Sequence, residues 1–145
     1  MTNREVIYSA LFNVVAASAS FVTKSRRVRL WADVTADEQP ALFMSQKPEE
    51  FIQLKGLPPK HILHVDFIIY VKTGEEETTV PATILNPLLD AVEATLAPSP
   101  GHDYYPLVVS GQTISHCWIE GPIETAEGAL GSQEVAVIPV KILAL

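Results

Sequence analysis

The stretch SHCWIEGP, Ser115 to Pro122, sets a histidine, the chain's one cysteine and one of its two tryptophans side by side. A cysteine becomes a strong nucleophile when a base or cation within hydrogen-bond reach holds it as thiolate. The stretch alternates as a strand does, with Ile114, His116, Trp118 and Glu120 on one face and Ser115, Cys117 and Ile119 on the other. His116 and Cys117 then point apart, and Cys117 is expected to be a buried, slow-reacting structural thiol. A metal site would have to draw on His61, His64, His116 and Cys117. His61 and His64 stand three apart in a segment that reads as a strand, so they fall on opposite faces, and no C-x-x-C or H-E-x-x-H accompanies them. His102, beside Asp103 and two tyrosines, reads as part of a solvated loop.

Carboxylates are plentiful, but Glu75, Glu76 and Glu77 lie in the turn TGEEETT. Its composition speaks of solvent, not of the desolvated cleft that raises a catalytic pKa. No phosphate-binding loop, G-x-G-x-x-G or G-x-S-x-G occurs. The basic group Lys24, Arg26, Arg27 and Arg29 has only Trp31 as a nearby aromatic, so an acidic protein surface suits it better than nucleic acid. The expectation is a protein that is no enzyme and holds no metal or cofactor.

The elements that carry these residues follow from periodicity. Thr2 and Glu5 form a capping-box pattern, and Val6, Ile7, Ala10, Leu11, Val14 and Val15 make the apolar stripe of a helix that fades near Ser18 to Ser20. Arg27 to Val34 alternates and is expected as a strand, with Val28, Leu30, Ala32 and Val34 inward. ALFMS is expected as a short strand after the turn TADEQP, and QKPEEFIQLKGLPPK as a long connecting loop. HILHVDFIIYVK is the strongest strand and is expected at the centre of the sheet, mostly covered on both sides, with Leu63, Val65, Phe67, Ile69 and Val71 on one face and Ile62, Ile68 and Tyr70 adding apolar surface to the other.

A second helix follows, starting either at Pro81 or, in the preferred arrangement, with Asn86 as cap and Pro87 in the first turn. Leu88, Leu89, Val92 and Leu96 supply its stripe, and APSPGHDYYP ends it. Strands over Thr113 to Glu120 and Glu134 to Ile142 close the chain, joined by the acidic, glycine-bearing GPIETAEGALG. Both this loop and TGEEETT are expected to project. The whole is an α+β single domain over residues 1–145: a mainly antiparallel sheet of about five strands with two helices packed on one face.

Composition agrees with a globular chain: 145 residues, 48% hydrophobic and 19% charged. VIYSALFNVVAASASF has the look of a signal-peptide core, but Glu5 and Asn13 interrupt it, and the chain reads as made in the cytoplasm without a membrane segment. The net charge of −7 is unevenly spread: residues 1–72 carry nine Lys/Arg against seven Asp/Glu, residues 73–145 one against ten. That imbalance argues against general nucleic-acid binding and suits a subunit whose two sides meet one another.

The order of segments resembles a known family over most of the chain. A capped helix leads to a strand ending near Trp31, the QPALFM segment, a proline-containing loop and a strand ending in IIYVK. LNPLLDAVEATLAPSPG and HCWIEGPIETAEGALGSQEVAVIPVKI then follow. This is similar to the tail terminator proteins of long-tailed bacteriophages, also called tail completion or minor tail proteins. One departure is VVSGQT, which has a single glycine where a G-G turn would be expected.

The resemblance implies a virion protein at the head-proximal end of the tail. It would form a homo-oligomeric, hexameric ring on the last ring of tube protein, stop tube polymerisation and meet the head–tail connector protein. DNA would pass its lumen without specific binding. In such a ring the charge split acquires a use, and Arg26, Arg27, Arg29, Trp31, Glu75, Glu76, Glu77, Glu124 and Glu127 are the candidate subunit or tube contacts. Two other readings stand beside it. One is a head-completion or connector protein of the same virion. The other is a small-molecule-binding α+β oligomer with a pocket of Trp31, Tyr70, His116 and Trp118.

Overall fold

The computed structural model describes residues 1–76, 78–127 and 131–145. Helix α1 spans Arg4–Ala16. Its cap is Asn3, whose side chain accepts from the Val6 N–H, and not Thr2; Glu5 is drawn instead into a salt bridge with Arg26. Ile7, Leu11 and Val15, spaced by whole turns, are buried together with Tyr8 and Ala16.

The expected strand from Arg27 to Val34 does not form. A three-residue strand β1, Thr23–Ser25, runs parallel to β2, and the chain from Arg27 to Glu38 is a strap with two 3₁₀ turns, Trp31–Asp33 and Ala36–Glu38. The alternation there was misleading because Val28 and Leu30 face solvent, Leu30 being 72% exposed, and only Val34 is buried. The strap is held by side chains. Arg29 pairs with Glu38 and donates to the Asp33 carbonyl, while the Tyr70 hydroxyl donates to the Arg29 carbonyl at 2.7 Å. Thr35 and Glu38 form the reciprocal capping box that Thr2 and Glu5 do not.

Strand β2, Ala41–Ile52, and strand β3, Lys60–Lys72, form one long antiparallel hairpin. The expected loop from Gln46 to Lys60 is therefore mostly strand. Its Pro48 lies at a register shift between Lys47 and Glu50, where an irregularity lets the chain carry a residue without an N–H. Only residues 53–59 are left as the connecting turn.

Helix α2, Ala82–Thr95, begins at Pro81, so Asn86 is no cap and Pro87 sits inside the helix. The internal proline forgoes one ladder hydrogen bond, to the Thr83 carbonyl, but the earlier start brings Leu85 into the core. Strands β4, Ile114–Ile119, β5, Glu124–Glu127, and β6, Gln133–Ala144, complete the sheet. The acidic segment after Gly121 is thus partly regular, because β5 pairs with β6 from Glu124↔Val137 to Glu127↔Glu134.

The sheet order is β1-β2-β3-β6-β4, with β5 also on β6. Since β3 pairs with β6 over the whole length from Gln133 to Ala144, β4 and β5 share β6's other side. The fold is α+β, with two helices on one face of a mostly antiparallel sheet. Leu63, Val65, Phe67, Ile69 and Val71 on β3 and Ala136, Ile138, Val140 and Ile142 on β6 meet both helices in one core. On the opposite face the strap covers only one end, in a small cluster of Val34, Ala41, Phe43 and Tyr70. The rest of that face, including Ile62, His64, Val137, Pro139 and Leu143, is half-buried.

Candidate functional site

Strand β4 places His116, Cys117 and Trp118 as their alternation predicts, but a register shift between Ile114 and His116 pairs Ile114 with Ala144 and turns it to the helix-side core with Cys117, not to the His116 face as expected. Cys117 pairs with Ile142 and turns into the helix-side core, 1% exposed, and burial pushes its thiol up to about 12. His116 and Trp118 turn the other way and stack, with ring centroids 4.3 Å apart. The hydrogen-bond neighbour of the His116 ring is Ser115 Oγ, at 3.2 Å from Nδ1, so no thiolate–imidazole pair is assembled.

The other histidines are equally separate. His61 faces the helices, 3.4 Å from the Arg4 guanidinium and 3.5 Å from the Glu49 carboxylate. His64 lies on the half-open face, 3.6 Å from Asp66, too far for a hydrogen bond. Among the described residues no group of three or more His, Cys, Asp or Glu is placed to hold a metal ion.

The basic cluster divides. Arg26 lies against Glu5 and Gln46 and holds the Glu5 carboxyl below its ordinary value. Arg29 and, behind it, the backbone and hydroxyl donors of Thr35 hold the Glu38 carboxyl down to about 2, while Glu38 raises Arg29 in turn. Trp31 stands edge-on to Tyr70, 5.2 Å between centroids, as part of the strap. Arg27 alone of the three arginines is exposed without an ion pair among the described residues. Arg29 is thus part of the strap, and Arg27 is the arginine of the cluster left for a neighbour.

Of the acids, Glu75 and Glu76 are exposed in the β3–α2 connection, and Glu77 lies outside the described residues. That connection is fastened at both ends, by Thr73 N–H to the Ser132 carbonyl at 2.7 Å and Thr79 Oγ1 to the Gly74 carbonyl at 2.8 Å. Glu124 and Glu127 are exposed on β5. Glu127 sits opposite the buried Glu134, whose carboxyl is raised by desolvation first and by Glu127 second.

The aromatic ligand pocket does not form. Tyr70, which carries Trp31, is level with Val135, whereas Trp118 is level with Lys141. Six strand positions, from Val135 to Lys141 of β6, separate the two pairs, about 20 Å at the usual strand rise.

Two surfaces were not foreseen. Phe51, Leu54 and Leu57, at the β2–β3 turn, are 57%, 61% and 54% exposed. Beside β4, the end of α2 and the segment after it leave a groove lined by Glu93, Leu96, Asp103, Tyr104 and Trp118. The first was legible as leucines in a stretch too polar for a core; the second joins three distant segments and had no sequence signal.

No protein-family profile matches the chain, and no curated protein matches it. Among solved structures it is similar to a chain of the "Virion of native gene transfer agent (GTA) particle", with a TM-score of 0.53 and 10% identity. The likeness covers 95% of this chain and 90% of that one. At that identity it is a likeness of fold.

Proposed function

We propose that this protein is a structural subunit of a phage-like virion, and that it forms the ring that caps a tail tube, ends tube polymerisation and offers the surface where head and tail join. The observation that carries the virion reading is the nearly end-to-end fold likeness to a chain of the gene transfer agent particle. The tail-terminator assignment rests further on the order of sequence segments, above all LNPLLDAVEATLAPSPG and the two strands after it.

The surfaces suit work done by contact. Arg27 in the basic half and Glu75, Glu76, Glu124 and Glu127 in the acidic half are exposed and available to neighbours. A closed ring built from one chain brings two different faces together at each joint, and opposite charge across that joint speeds and orients assembly. Acids turned toward the lumen would repel passing DNA. The partners are further copies of this chain, the tail tube protein and the head–tail connector protein.

Particles assembled without the protein test this. The expected result is tails of uncontrolled length, or finished tails that join no heads. Normal tails on particles that deliver DNA normally would contradict the proposal. Tails of normal length beside heads that leak DNA would move the protein to head completion.

A further inference from the structure

Between Phe51 and Lys60 the β2–β3 turn carries no acidic residue and two cations, Lys55 and Lys60. Phe51, Ile52, Leu54 and Leu57 are all exposed there. Single surface leucines are ordinary, but four large apolar side chains at one tip mark a contact site. The groove beside β4 has the opposite character. It is lined by the apolar side chains of Ala97, Tyr104 and Trp118, with the buried Leu96 beneath, and by the exposed carboxylates of Glu93 and Asp103. Among the described residues, none of Lys55, Lys60, Glu93 and Asp103 makes an ion pair within the chain.

The sheet sets these two surfaces in a telling arrangement. His61, next to the tip, pairs with Ala144, and His116, in the groove, pairs with Leu143, so both lie at the same end of the sheet. They lie on opposite flanks, because β2 and β4 stand on either side of the β3–β6 pair. A knob on one flank and its complement on the other, at one height, is the geometry of a head-to-tail lateral contact repeated from copy to copy. An apolar tip with a cationic edge also matches an apolar groove with an anionic rim in both respects that decide partner choice.

We propose that the β2–β3 tip of one copy seats in the α2–β4 groove of the next. Leu54 and Leu57 rest on Ala97, Tyr104 and Trp118, and Lys55 faces Glu93 and Asp103. This rests on the ring reading above and adds to it the contact that joins the subunits.

Cross-linking of the full chain tests the contact directly. Leu57→Cys and Ala97→Cys are both at exposed positions, and the native Cys117 is buried. Mixed and oxidised, the two single variants should form a disulfide dimer that neither gives alone. The double variant should give a ladder of covalent multimers. Lys55→Glu should weaken assembly roughly tenfold or more, and Lys55→Glu with Asp103→Lys should restore much of it.

If the wild type assembles but no cross-link forms and Lys55→Glu assembles normally, the tip–groove contact is wrong and the ring reading survives. If the cross-link forms but only open chains or dimers appear, the contact holds and the closed ring does not. If neither assembly nor cross-link is seen, both fall.

Discussion

Single residues set what this surface can and cannot do. Glu38 is the clearest case, since its carboxyl is held down to about 2 against an ordinary 4.5 by Arg29 and Thr35. A carboxyl depressed on folding stabilises the fold above its unfolded value, and that contribution is lost as pH falls from about 4.5 through about 2. Glu38→Gln should therefore melt at lower temperature than the wild type at neutral pH, and the difference should close as pH approaches 2. A gap in melting temperature that is unchanged by acid would mean that Arg29 does not hold the strap.

Cys117 has the opposite chemistry. Its thiol, pushed up to about 12 by burial, should react with a thiol reagent only as the fold opens, so native labelling should be slower than in denaturant by orders of magnitude. Rapid native labelling would put the thiol at the surface. The facing of Cys117 could be read from alternation in SHCWIEGP, because β4 is regular where Cys117 and Trp118 lie. The role of Arg29 could not. Its partners come from the Thr35–Glu38 turn and from β3, and only a strap crossing the sheet brings them together.

At the scale of elements, the reading succeeded where one face of a long segment is buried throughout. All five residues expected inward on β3 are in the core, and Tyr70 on its other face is buried as well, under the strap. It failed where covering is local. Val34 is buried by a strap and not by a strand, so the alternation of Arg27 to Val34 has no sheet behind it. Prolines misled twice: Pro48 is absorbed by an irregularity in β2 and Pro87 by a helix already begun at Pro81. In both cases tertiary packing outweighs a missing N–H.

The start of α2 gives a sharp test at this scale. If the helix begins at Pro81, Leu85 is a core residue, and Leu85→Ala should cost about 2–5 kcal/mol in denaturant unfolding. Leu88→Ala, at a half-buried position, should cost less. The reverse order would restore Asn86 as the cap.

For the whole molecule, the sequence reached the α+β class, the two helices on one face and the polar asymmetry between the chain's halves. It did not reach the groove, which depends on which segments the topology sets side by side, and it left the exposed tip inside a stretch expected as a connecting loop. Glu75, Glu76, Glu124, Glu127 and Arg27 lie at the surface, while Arg26, Arg29 and Trp31 are engaged within the chain. The surface left for partners is thus smaller than the basic cluster suggested, and it favours recognition by shape and apolar contact with charge at the rim.

Electron microscopy of the purified protein, alone and added to assembling tail tube protein, shows whether it caps tubes. Closed, hexameric rings are expected, with a ring seated at one end of each tube and tubes that stop growing once capped. Tubes that grow to the same lengths with and without the protein, with no density added at either end, would contradict the proposed capping.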